Sequence, residues 1–108
     1  MQTVVVLRSD QMGEGDRELG LKILGTFLRK SAALGELTGI VFYNAGVKLL
    51  TRGSPVLGEL QLLHDAGVDL LPCGTCVAFY KLELAVGVVS DMDSILRELD
   101  RAEKVITL

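Results

Sequence analysis

Four or five short, largely apolar runs rich in β-branched residues constrain this chain more than any other feature. They cover residues 3–7 (Thr-Val-Val-Val-Leu), 39–43 (Gly-Ile-Val-Phe-Tyr), 68–71, 84–89 and 105–108, and segments of helical periodicity separate them. A strand with one wet face alternates apolar and polar residues, whereas a run without alternation is buried on both faces, the habit of a parallel sheet covered by helices. The alternation of strand and helix then demands right-handed crossovers. The expected fold is α/β, a three-layer α/β/α sandwich with a mainly parallel five-stranded sheet.

The helical segments carry their own boundary signals. From Asp16 to Leu34 an apolar stripe of Leu21, Leu24 and Leu28, broadened by Ile23 and Phe27, leaves Arg17, Lys22, Arg29 and Lys30 largely outside. Ser54-Pro55 reads as cap and first helical residue, with Leu57, Leu60 and Leu63 following and Gly67 as the left-handed stop. Ser90, with Asp93 three residues on, predicts the start of a last helix bearing Ile95, Leu96 and Leu99.

At 108 residues the chain makes one domain, spanning 1–108 without linker or repeat. It is 49% hydrophobic with a mean hydropathy of +0.41, yet charges or turn residues interrupt every run before the roughly 18–20 residues a membrane helix needs. Met1-Gln2-Thr3 leads into Val4 with no basic region or small-residue cleavage site, so no signal peptide and a cytoplasmic location are expected. The apolar surplus must go into strands buried on both faces and into surface buried between subunits, which predicts a homo-oligomer. A net charge of −3, eleven scattered Lys and Arg and 5% aromatics argue against a nucleic-acid surface.

Chemistry in open α/β sheets gathers beyond the carboxyl ends of the strands, and three loops there stand out. The first, residues 9–16, holds Gly13-Glu14-Gly15; its three acids repel a pyrophosphate and Glu18 stands where a third glycine belongs, so a tight turn capped by Asp16 is the simpler reading. The second, residues 44–53, encloses an apolar run that suggests a short helical turn or a buried contact. There Asn44 serves as a cap or bonds a neighbouring loop, and Lys48 is either solvated or near a thiol. The third is Leu71-Pro72-Cys73-Gly74-Thr75-Cys76, which holds both cysteines of the chain. A strand end feeding a helix start offers a thiol unpaired N–H groups and a favourable dipole, which lower its pKa and favour the reactive thiolate. The C-x-x-C spacing puts two sulfurs on one side of a first turn, and inside a cell that favours redox, sulfur-transfer or metal roles over a structural disulfide. Burial as two small hydrophobes is the competing account. With His64 alone to add, at most three metal ligands are available, one short of a structural zinc site, so no metal and no cofactor are expected.

These blocks together carry a resemblance. Met12-Gly13-Glu14-Gly15-Asp16 with Glu18-Leu19-Gly20, Asn44-Ala45-Gly46-Val47-Lys48-Leu49, Cys73-Gly74-Thr75-Cys76 with Phe79-Tyr80, and Lys104-Val105-Ile106 make the chain similar to the DsrE/DsrF-like superfamily. Within it the chain resembles the C-terminal domain of YedF-type selenium-metabolism proteins. The resemblance implies a flavodoxin-like fold, assembly into trimers or hexamers, and passage of sulfur between proteins as a cysteine persulfide, as in DsrE and TusD. It puts Cys73 in the place of the working cysteine, while Cys76 matches the YedF-like subgroup. A TusA-like domain with its own cysteine motif precedes YedF-type domains and is not in these 108 residues. A separate TusA-like carrier or a stand-alone homologue is therefore expected.

The function expected is an intracellular sulfur or selenium relay, sulfurtransferase-like, with Cys73 carrying the sulfane sulfur and Cys76 as resolving thiol. Gly74, Thr75, Asn44, Lys48, Tyr80, Met12 and Glu14 are expected to line the pocket, and a TusA-like or other sulfur carrier is the expected partner. Two alternatives stay open: a dithiol/disulfide redox protein, and a non-catalytic oligomeric interaction module.

Overall fold

The first strand runs through the middle of everything else. β1 (Gln2–Leu7) is buried from Thr3 to Leu7 because both of its faces are covered: Val5 and Leu7 enter one core cluster and Val4 another. The computed structural model describes residues 2–108, and Met1, from which the absence of a signal peptide was partly read, lies outside the described residues. β1 pairs in parallel with β2 (Glu36–Phe42) on one side and with β4 (Lys104–Thr107) on the other, and β3 (Asp69–Pro72) pairs in parallel with β2. The sheet has four strands in the order β3-β2-β1-β4.

Helices cover both faces, giving the expected α/β sandwich. On one side, α1 (Arg17–Lys30), α2 (Leu57–Asp65) and the 3-10 segment Asn44–Leu50 pack Leu24, Leu28, Leu60, Val47 and Leu50 against Val5, Leu7, Ile40, Phe42 and Leu70. On the other, α4 (Met92–Arg101) packs Ile95 against Val4, Val41 and Cys73. A short helix, α3 (Gly74–Phe79), follows β3 directly. No described helix is long and apolar enough to cross a membrane.

The fifth strand does not form. Residues 84–89 form no ladder: single bridges join Thr51 to Leu84 and, just beyond, Cys73 to Ser90, while the Ala85 N–H donates to Leu50 O at 2.8 Å and Val86 is buried in the core. Gly87 takes a left-handed φ of 85° that breaks the extended path. Its available neighbour, β3, is four residues long and ends in Pro72, which has no N–H to give. Residues 69–71 and 87–90 line a cavity of about 200 Å³, and Val88 is left 76% exposed.

Helix boundaries moved for local reasons. Asp16 caps α1 as read, its carboxylate accepting the Leu19 N–H at 2.8 Å, but α1 yields to a 3-10 turn at Ser31, and Ile23 faces solvent. The Ser54-Pro55 pair forms a turn in which the Ser54 hydroxyl accepts the Val56 N–H at 3.3 Å, and α2 starts only at Leu57. Gly67 stops α2 as expected, at φ 97°. Ser90 cannot cap α4 because its backbone is tied to the β3–α3 junction: its N–H donates to Pro72 O and its carbonyl accepts the Gly74 N–H, both at 2.9 Å. Asp91 takes the role instead, accepting the Ser94 N–H at 2.7 Å.

Candidate functional site

The two thiols sit where β3 becomes α3. Cys73 is held in register by its own N–H, which donates to Phe42 O at 2.9 Å, and its carbonyl opens α3 by accepting the Val77 N–H at 3.0 Å. Gly74 must be glycine: a Cβ there would stand 2.7 Å from Ser90 O and 3.0 Å from Val89 Cγ1. Cys73 itself is only 4% exposed, on the α4 side of the sheet, where it packs with Val4, Val41 and Ile95. The sulfur read from the sequence as a reactive thiolate is therefore a covered one. Cys76, one turn on, is half-buried and packs against both core clusters. Both thiols are free.

Burial acts first on Cys73 and pushes its pKa up, but the Cys76 N–H and thiol and the Thr75 N–H and hydroxyl together outweigh it, so the pKa falls below the ordinary 9.0. The Cys73 side chain makes no capping hydrogen bond to α3, and the donors around it gain strength when the sulfur ionises. α3 has six residues, so local donors rather than a long helix dipole favour the thiolate. Cys76 moves the opposite way. Burial pushes it up, the Asn44 N–H pulls it down, and the hydrogen bond to Cys73 with the Cys73 charge pushes it up again. One thiol is poised to ionise and the other to keep its proton.

Of the predicted pocket residues, the structure brings Gly74, Thr75, Asn44 and Tyr80 to the thiols. The Asn44 N–H donates to Cys76 Sγ at 3.1 Å, and the Tyr80 hydroxyl donates to Asn44 Oδ1 at 2.8 Å. Lys48 arrives indirectly: its ammonium lies 4.4 Å from the centre of the Tyr80 ring, a cation–π contact, and is not among the groups that move either thiol. Met12 packs on the larger core cluster, and the Glu14 side chain is 87% exposed with Arg8 as its ionic partner at 3.8 Å. These two belong to the β1–α1 turn. His64 is exposed on α2. A cavity of about 490 Å³ between Thr51-Arg52 and residues 81–85 has neither cysteine in its lining.

With this geometry in hand the comparisons are decisive on ancestry. The sequence profile of the DsrE/DsrF-like family matches residues 1–108. The chain belongs to the DsrE/DsrF-like family. Solved structures agree with this DsrE-like fold. The YchN protein from E. coli superimposes with a TM-score of 0.69 at 18% identity over 100% of both chains. MTH1491 of Methanobacterium thermoautotrophicum, a protein of unknown function, gives 0.72 at 23% identity over 99% of this chain and 98% of its own. BT1422 of Bacteroides thetaiotaomicron, a conserved protein of unknown function, gives 0.70 at 18% identity over 99% and 94%. No curated protein matches the sequence.

What sequence reasoning missed in this DsrE-like site is the geometry of Asn44. It takes a left-handed φ of 52°, a conformation in which Asn is enriched among non-glycine residues. An Asn directly after a strand, with Gly46 two residues on, was the available signal. Its target, a sulfur 32 positions away, was not.

Proposed function

We propose that this DsrE-like chain is a sulfur relay protein that carries sulfane sulfur as a persulfide on Cys73, with Cys76 as resolving thiol. The observation that carries the reading is the inequality of the two thiols, Cys73 lowered and Cys76 raised from the ordinary value. In the loading step the Cys73 thiolate attacks the terminal sulfur of a donor persulfide, R–S–SH. The new Cys73 S–S bond forms, the donor S–S bond breaks, and the donor leaves as its thiolate. In the resolving step Cys76, once deprotonated, attacks Cys73 Sγ. A Cys73–Cys76 disulfide forms, hydrosulfide leaves with the electron pair of the broken bond, and an external thiol reductant restores both cysteines. Selenium would travel by the same steps.

Because Cys73 is 4% exposed and packed against Ile95 of α4, local displacement of the residues that cover it is part of loading. Exposed Phe79, Val88, Val89, Met92 and Leu96 are what a second copy or a protein carrier of the TusA type would bury. A cytoplasmic setting, where thiols stay reduced, fits the same chemistry.

The test is intact-protein mass spectrometry after incubation with a sulfane donor. Gain of one sulfur atom, lost in Cys73→Ala and retained or prolonged in Cys76→Ala, is the expected result. The contact between the two thiols also favours a dithiol redox reading, and disulfide-reductase turnover with no single-sulfur adduct on Cys73 would replace relay by it.

A further inference from the structure

Asn44 does more than line the site. Its backbone is held in the left-handed region at φ 52°, a conformation that costs an ordinary side chain on the order of 1 kcal/mol and persists where the surroundings fix it. Three contacts fix it here. The Tyr43 N–H before it donates to Leu7 O at 3.2 Å, and the Gly46 N–H after it donates to Tyr43 O at 3.1 Å. Its own side-chain oxygen accepts the Tyr80 hydroxyl at 2.8 Å. The product of this arrangement is a backbone N–H aimed at Cys76 Sγ, 3.1 Å away.

Tyr80 stands four residues after Cys76, at the C-cap of α3, so sulfur and hydroxyl project from successive turns toward the 3-10 segment Asn44–Leu50. From that segment Lys48, four residues after Asn44, covers the Tyr80 ring at 4.4 Å, and Phe79 meets the same ring edge-on with centroids 5.2 Å apart. The two elements are thus clamped twice, by N–H to sulfur and by hydroxyl to amide, with a cation fixing the ring. None of these contacts involves Cys73.

We infer that Asn44 is a positioning residue for Cys76, its left-handed backbone supplying the hydrogen bond that readies Cys76 as the second nucleophile, and that Tyr80 and Lys48 hold it in place. The inference rests on the relay reading for its order of events. While Cys73 is a thiolate, the Cys76 thiol donates to it and is kept protonated. Loading moves the negative charge from Cys73 Sγ to the outer sulfur, and the Cys76 proton loses its acceptor. The Asn44 N–H then remains as the one donor to the Cys76 sulfur, opposed by burial. The titratable groups around Cys76 are Cys73 and Tyr80 on its own side, Tyr43 at the end of β2, and Lys48 behind the Tyr80 ring.

The experiment needs no sulfur donor. In a Cys73→Ala protein, the pH profile of Cys76 alkylation by iodoacetamide is measured alone and with Tyr80→Phe or Asn44→Gly. Glycine keeps the left-handed backbone and the N–H but cannot be clamped by Tyr80. Each change is expected to slow Cys76 alkylation at neutral pH roughly fivefold, the value of one ordinary hydrogen bond, and to move its midpoint upward. In a Cys76→Ala protein the same changes should alter Cys73 alkylation by less than about twofold on that scale. An unmoved Cys76 profile, or an equal loss at both cysteines, would overturn the assignment. If the Cys76 profile shifts as expected while no persulfide ever forms on Cys73, the relay reading falls and the positioning role stands.

Discussion

Replacing Gly46 by Ala tests whether the end of β1 holds the thiol site in place. A Cβ on Gly46 would stand 2.2 Å from Leu7 O, 3.0 Å from Leu7 C and 3.5 Å from Ser9 N. Ordinary carbon–oxygen contacts begin near 3.3 Å, so the 3-10 segment or the end of β1 must retreat by about 1 Å. The obstacle is backbone, and no rotamer change relieves it. Leu7 O also accepts the Tyr43 N–H at 3.2 Å, and Leu7 is in register with Phe42, so retreat loosens the central strand pair. Overpacking of a filled site costs about 1–3 kcal/mol, and a clash confined to backbone belongs at the upper end. For a domain of this size about 3 kcal/mol lowers Tm by roughly 12–24 °C. Gly58→Ala is the control, since nothing lies within 4 Å of its Cβ and it sits within α2; it should gain about 0.5 kcal/mol from helix propensity. Thermal melts followed by circular dichroism read both. Below its melting point the Gly46→Ala protein should also show slower Cys76 alkylation, because Asn44 is displaced with the segment. A Gly46→Ala melt within a few degrees of wild type would refute the reasoning, for it would mean that the segment can withdraw without strain and does not brace the site.

Leu60→Ala should cost about 3 kcal/mol in urea unfolding, since Leu60 is the one fully buried side chain of α2; a loss under about 1 kcal/mol on that scale would show that α2 is held by something else. Asp91 has its carboxyl held below the ordinary 3.8 by the Ser94 N–H and hydroxyl. A depressed carboxyl stabilises the fold above its unfolded pKa and loses that contribution as pH falls through the folded value. Asp91→Ala should therefore be less stable than wild type at neutral pH, with the gap closing below pH 3.8; a gap that is constant with pH would contradict the cap. Cys73 alkylation should persist below the pH at which a thiol of ordinary pKa 9.0 loses reactivity, and Cys76→Ala should shift that profile upward by removing a thiol donor; no upward shift would remove Cys76 from the list of groups that favour the thiolate.

The layered architecture was legible because its signal is local: Val4, Val5, Val6 and Leu7 in unbroken succession leave a chain few options other than burial between two layers. β2 was read from Gly39, three residues late, since Glu36 and Thr38 at the edge of the core carry no apolar signature. Residues 84–89 have the composition of a strand, but a strand is completed by its partner. A four-residue β3 ending in Pro72 and a left-handed Gly87 deny it one, facts visible only once the neighbours are known. The cysteines were findable for the same local reason as the strands, since a C-x-x-C after an apolar run marks a strand–helix junction. The Asn44–Tyr80–Lys48 clamp joins positions up to 36 apart in sequence, and its contacts depend on β2 and β3 being neighbours. Lys48 illustrates the limit: its proximity to the site was foreseeable, but its target is an aromatic ring instead of a sulfur.

The apolar surplus of the sequence has a geometric origin that bears on the thiols. Four strands about 4.8 Å apart need cover over roughly 15–19 Å of width, and one helix supplies about 10 Å. The α1–α2 side meets this with two helices and the 3-10 segment, whereas the other side has α4 for most of its cover. Val105, in register with the fully buried Val4, is 45% exposed at one margin, and Val88 and Val89 are exposed at 76% and 54% near the other. Met92 and Leu96 of α4 add 48% and 57% exposed apolar surface between them. Cys73 belongs to the cluster on this same thin side. A second copy or carrier of the kind proposed would settle against α4, whose Ile95 packs on Cys73. On the proposed relay reading, docking on this face and access to the low-pKa thiol would therefore be coupled, because the sheet has little helix on that side.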